Sequence, residues 1–164
     1  MTRWHRGEQT VAFLISRGRL ESFEASDPAV LADALAGRAA RRLDATARAA
    51  LANGDADGAY AAAYDAYRMA AEALLGRQRL RATGGDGSHM CVEDAVSAQF
   101  SADILVFAKP IFERLRRTRH TAQYFDPAAA PVTESDAAWA IEKAAAAVSA
   151  VRALLRADSL DPFG

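Results

Sequence analysis

Between Lys109 and Tyr124 the chain reads KPIFERLRRTRHTAQY, which places Arg114, Arg116, Arg117, Arg119 and His120 within two helical turns. The chain as a whole carries a formal net charge of -1 at pH 7, so this knot of cations is local. Its parts suit RNA cleavage without a metal. That reaction needs a group to take the proton from a 2′-hydroxyl, cations to offset charge on a phosphorane-like transition state, and a group to protonate the leaving oxygen. Histidine titrates near neutrality and can serve as the first or the last. Arginine stays charged, and its planar fork matches phosphate. The plainer alternative is a solvated, partly salt-bridged helix face with Glu113 and Arg117 as an i,i+4 pair.

The 3.6-residue period sorts this stretch into faces. Ile111, Leu115, Thr118 and Ala122 fall on one side, and Arg116, His120 and Tyr124 on nearly the opposite side. Arg119 stands at the edge of the apolar side, next to Phe112, where it must snorkel or find a partner. The resulting assignment gives His120 the general acid or base role. Arg116 and Arg119 hold the phosphate, Tyr124 orients or donates, and Arg114, Arg117 and His89 are further phosphate contacts.

Three other stretches invite chemistry. Tyr60, Tyr64 and Tyr67 recur at four and three. They read as core packing with hydroxyls at the rim, or alternatively as a base-stacking platform. TGGDGS at 83–88 is a flexible loop that lacks the lysine and spacing of a P-loop. His89 and Cys91 have no second ligand pair at a useful spacing, so no metal is expected, nor any cofactor.

The elements that position these residues are helices. A short helix is expected over 8–18, stopped at Gly18, and 20–26 is a connector. Asp27-Pro28 opens a helix to about Asn53, with Val30 or Leu31, Ala34, Leu35, Leu43 and Leu51 as its apolar face. Asn53-Gly54 ends it. Asp55 or Asp57 caps the next helix, at 57–80, and another spans 88–100. Pro110 either kinks the following helix or starts a new one near Lys109. Thr133 and Asp136 resemble a capping box for a last helix over 134–157, which buries some set of Trp139, Ile141, Ala145, Val148, Val151, Leu154 and Leu155. No strand signal is present. The expected fold is all-α: an up-and-down four-helix bundle with an additional short N-terminal helix. Residues 1–26 form the leading helix and connector, and 27–160 form the bundle.

Composition agrees, with 51% hydrophobic residues, many of them alanine, and 25% charged. Balanced charge argues against bulk coating of DNA, so any nucleic-acid contact is local. A single cysteine, Cys91, allows no internal disulfide and fits a reducing compartment. The apolar run from Val11 to Ile15 is too short for a signal segment or a membrane span. The expectation is a soluble, cytoplasmic protein without a membrane role.

RRTRHTAQY resembles the signature helix of the HEPN superfamily (higher eukaryotes and prokaryotes nucleotide-binding). That motif is an arginine, a polar residue, three or more variable residues and a histidine. Arg119 matches the arginine and His120 the polar position, while Tyr124 stands where the closing histidine would be. Arg114 or Arg116 with His120 gives a similar spacing in another register. GDADGAYAAAYDAYRMAAEALLG, GGDGSHMCV and VTESDAAWAIEKAAAAV are similar to family segments in the same order, so the likeness covers about 28–157. It implies a bundle that forms a homodimer, with two arginine helices facing each other. It also implies RNA binding with metal-independent endoribonuclease activity, as a toxin-like component beside a nucleotidyltransferase-type antitoxin or in a defence system. The alternative is a non-catalytic subunit that binds such a partner or a nucleotide. Tyrosine, with an ordinary pKa of about 10, is a poor base at neutral pH. The departure at Tyr124 therefore moves catalysis to His120 or His89, or removes it. By analogy with relatives, Tyr124 is also a candidate for modification with AMP by the partner.

Overall fold

A computed structural model describes residues 5–163. Residues 1–4 of the N-terminal unit and Gly164 lie outside the described residues. The chain runs through α1 (Glu8–Ser16), β1 (Leu20–Ser22), α2 (Pro28–Arg42), a π-turn (Leu43–Ala47) and α3 (Arg48–Ala52). It continues through α4 (Ala56–Arg77), β2 (Leu80–Ala82), α5 (Ser88–Phe100), a 3₁₀ turn (Leu105–Phe107), α6 (Lys109–Gln123) and α7 (Glu134–Arg156). The result is a helical bundle. Among the described residues no helix is long and apolar enough to cross a membrane.

Local chemistry sets most boundaries. The Asp27 carboxylate accepts from the N–H groups of Ala29 and Val30, with Pro28 in the first turn of α2. Asn53 closes α3, and Gly54 follows at φ 79°, a left-handed conformation that glycine adopts without Cβ strain. Asp55 caps α4 through the Gly58 N–H. Pro110 starts α6 at Lys109 rather than kinking a longer helix. Thr133 and Asp136 form a reciprocal capping box at α7.

α4 is the central helix. It packs against α7, α2, α6 and α5 and is buried along most of its length. Its surface is rich in alanine, and α2 meets it with alanines in turn: Ala32, Ala36 and Ala39 are buried. This differs from the leucine face expected for α2. Val30 is 63% exposed and Ala34 is also exposed, because two alanine surfaces approach more closely than bulky side chains would allow. Leu31 and Leu35 instead flank the contact and lie over Gly76. Below this point Leu43, Ala47 and Leu51 recur at four. Steps of four drift around a helix of 3.6 residues per turn, and the wider π-turn keeps Leu43 and Ala47 both buried.

One short strand pair interrupts the helical pattern. β1 and β2 are antiparallel, pairing Leu20 with Ala82, Glu21 with Arg81 and Ser22 with Leu80. Leu20 and Leu80 are buried, and the exposed Arg81 reaches Glu21 at 2.7 Å. The pairing joins segments sixty residues apart, so local pattern gives no sign of it. α5 and α6 are held together by two ion pairs, Asp94–Lys109 at 2.9 Å and Glu93–Arg116 at 3.0 Å. Ser97 and Tyr67 donate to the carbonyls of Phe107 and Val106, which fixes the 3₁₀ turn that aims α6.

Candidate functional site

Between Ala59 and Arg77 only Ala61, Asp65, Arg68, Met69 and Glu72 of α4 escape full burial. Their spacing of four, three, one and three defines one strip along the helix. α2 flanks this strip on one side, where Arg42 reaches Asp65 at 3.2 Å. The first turn of α5 and the inner edge of α6 flank it on the other. A hollow of about 340 Å³ opens over the C-terminal end of the strip, at Arg68 and Glu72, with Leu31 and Leu35 on one wall and Ser88 also in its polar lining.

His89 is the centre of the polar cluster. Its Nδ1 lies 2.7 Å from the Tyr64 hydroxyl and its Nε2 lies 2.7 Å from Arg68 Nη1. A guanidinium only donates, so Nε2 accepts, and the ring proton sits on Nδ1, donating to the Tyr64 oxygen. The Tyr64 and His89 rings stack with centroids 5.6 Å apart. Burial, then the charges of Arg68, Arg119 and Arg116, push the His89 pKa down to about 4, while Asp65 opposes. His89 is therefore a neutral imidazole at physiological pH. Burial also pushes the Tyr64 hydroxyl up to about 12, so it stays protonated.

Three guanidiniums face this imidazole, and two have carboxylate partners. Arg68 Nε lies 2.9 Å from Glu72, whose pKa burial raises. Arg116 Nε lies 3.0 Å from Glu93, a carboxylate only 3% exposed. Arg119 has no carboxylate within 4.0 Å among the described residues. Its guanidinium carbon lies 5.5 Å from the Tyr64 ring centroid, and its Nε is buried without a hydrogen-bond partner. The cluster thus holds one uncompensated cation beside a neutral histidine and a protonated phenol.

The sequence-derived residues divide into three groups. Arg116, Arg119 and His89 come together here. His120 and Tyr124 form a separate exposed pair, with ring centroids 4.8 Å apart. Arg114 stacks on Trp139 of α7 at 3.9 Å and lies 3.8 Å from Asp136, while Arg117 pairs with Glu113. Arg119 occupies the expected edge beside the buried Phe112. Arg116 does not share the outer face with His120, because the buried Glu93 demands a cation and draws the arginine inward. The tyrosine rings are buried, and each hydroxyl is near a partner: Arg114 carbonyl for Tyr60, His89 for Tyr64 and Val106 carbonyl for Tyr67.

Arg68 and Glu93 were not singled out from sequence. Their signal is spacing, since Tyr64, Arg68 and Glu72 recur at four, as do His89 and Glu93. Cys91 is buried with its thiol 3.2 Å from the Arg19 carbonyl. Among the described residues no group of three or more His, Cys, Asp or Glu is placed to hold a metal ion. No family model, curated protein or solved structure matches this chain.

Proposed function

We propose that the chain is a HEPN-type bundle protein that binds RNA, acts as a homodimer and cleaves RNA without a metal, in a toxin-like role beside a nucleotidyltransferase-type antitoxin. Two features support the family reading: the helix order over α2–α7, and the placement of Arg119 and His120 on the penultimate helix. The observation that carries the chemistry is the charge arrangement around His89: three guanidiniums, two carboxylates and a neutral ring. A phosphate is the group this arrangement lacks.

In this reading Arg119 and Arg68 take the scissile phosphate. As the phosphate draws Arg68 toward itself, Nε2 of His89 loses its donor and can take the 2′-hydroxyl proton. The 2′-oxygen attacks phosphorus and the bond to the 5′-oxygen breaks. His120, exposed on α6, returns a proton to that oxygen from a second copy facing the groove. The products are a 2′,3′-cyclic phosphate and a 5′-hydroxyl. Arg116, tied to Glu93, positions α6 and adds positive potential.

Incubating the purified protein with RNA in EDTA tests this. The wild type should release 2′,3′-cyclic phosphate ends. His89→Ala and Arg119→Met should abolish cleavage while unfolding cooperatively. Absence of cleavage by clean, dimeric wild type would sink the enzyme claim.

A second reading, a non-catalytic subunit, draws on the end of α6. There Phe125 is 94% exposed and Tyr124 56% exposed, an aromatic pair open to a partner. It predicts stable co-purification with the product of the neighbouring gene, lost in Phe125→Ser and indifferent to His89→Ala.

A further inference from the structure

The polar cluster occupies one side of the α4 strip; the other side carries charge that the proposed chemistry does not use. Arg38, Arg41 and Arg42 of α2 surround a hollow of about 270 Å³ with Thr46 and Met69. Arg42 is held by Asp65 at 3.2 Å. Arg38 and Arg41 are exposed, and neither has a carboxylate within 4.0 Å among the described residues. Arg41 lies back along its own helix, with Nη1 3.6 Å from where a Cβ would sit at Gly37. The nearby Asp44 is already engaged by Arg48 at 3.1 Å. Two cations on adjacent turns thus stand without compensation on a chain whose formal net charge is -1.

This hollow borders the same α4 strip as the site. Met69 lines it, and the preceding residue, Arg68, touches His89. Asp65 holds Arg42 on one side and acts on His89 from the other. Along the α4 axis Asp65 and Arg68 are about 4.5 Å apart at 1.5 Å rise per residue. A ligand phosphate at Arg119 and Arg68 has Arg116 beside it and, on the other side of the strip, Arg38, Arg41 and Arg42.

We propose that Arg38 and Arg41, with Arg42 behind them, form a track for the phosphodiester backbone of single-stranded RNA flanking the bound phosphate. The inference rests on the RNA reading above and adds a surface and a strand type to it. A single strand fits because its flexible backbone can bend across the strip from one group of arginines to the other, which a stiff duplex resists. Arginine forks on consecutive turns suit successive phosphates, and they read charge rather than base identity.

The test measures binding of a fluorescein-labelled twelve-nucleotide single-stranded RNA, 2′-O-methylated to block cleavage, by anisotropy from 50 to 300 mM NaCl. In Arg38→Gln/Arg41→Gln the slope of log K against log salt should shrink by about 1.4, from two lost contacts at about 0.7 each. Arg152→Gln/Arg156→Gln makes the same charge change on α7 and should leave the slope as in wild type. Equal slopes for the two double variants would overturn the track. So would tighter binding of polyglutamate than of RNA of equal charge, which would assign the surface to an acidic protein. Wild type that cleaves RNA with Arg38 and Arg41 immaterial removes the track and keeps the enzyme. Wild type that binds with the expected slope but never cleaves keeps the track and removes the enzyme. Wild type that does not bind the strand removes both.

Discussion

His89 shows how much one side chain's surroundings decide. The same imidazole in solvent would be half protonated near pH 6.5. Here burial and the neighbouring arginines hold it neutral down to about pH 4. The unfolded chain therefore binds a proton at His89 between about pH 6.5 and 4 that the folded chain refuses. Stability must rise with pH across that window and level off above it. Glu72, whose pKa is raised, contributes with the opposite sign above its ordinary pKa, so the informative quantity is the difference between variants. His89→Gln should flatten the wild-type rise between pH 4 and 6.5, read from urea midpoints at half-unit intervals. A wild-type curve that coincides with the variant's across the window would mean that His89 does not titrate as its surroundings dictate. The sequence identified His89 as a candidate but could not give its state, because Tyr64 and Arg68 reach it only through tertiary packing. Arg116 shows the converse. Helical period put it on the outer face, and a single buried carboxylate, Glu93, turned it inward.

At the scale of elements, glycine separates two kinds of helix contact. Gly7 precedes α1 at φ 73°, and a Cβ there would sit 2.7–2.8 Å from the backbone of Ala98 and Gln99. α1 can dock on α5 only because that atom is missing. Gly76 lies in the last turn of α4, where a Cβ would meet Leu35 at 3.5 Å and Leu31 at 3.7 Å, ordinary contact distances. The two Gly→Ala changes should have opposite signs. Gly7→Ala combines positive φ with a backbone clash and should cost about 2 kcal/mol or more. Gly76→Ala should be neutral or stabilising by up to about 0.5–1 kcal/mol. Chemical denaturation of both variants checks this, and a stable Gly7→Ala would mean that α1 docks otherwise. The caps at Asp27, Asn53-Gly54 and Thr133 were legible because capping acts within four residues. The π-turn and the β1–β2 pair were not. One answers to the alanine surface of α4, and the other to a partner sixty residues away.

The whole molecule leaves one end of α6 unfinished. The His120 and Tyr124 rings meet there in solvent at a tilt of 44°, and Phe125 beyond them is 94% exposed. None of these rings contributes to the core, so their removal should leave the isolated fold intact. In the proposed homodimer they are what a second copy covers, and covering them brings His120 toward the facing groove. Burying a phenyl or phenol ring from solvent contributes roughly 1.5–3 kcal/mol, and twofold symmetry buries each ring twice. Tyr124→Ser/Phe125→Ser should therefore weaken self-association by at least about 4 kcal/mol, roughly a thousandfold in Kd. Sedimentation or light scattering across a dilution series would read this as a shift from dimer to monomer, with the thermal midpoint of the monomer preserved. An unchanged dimer would place the interface elsewhere, and His120 could no longer serve the other copy's groove. RNA cleavage by the variant should fall with dimer population rather than independently of it. That correlation separates a composite site from a monomer whose own His89 cluster suffices.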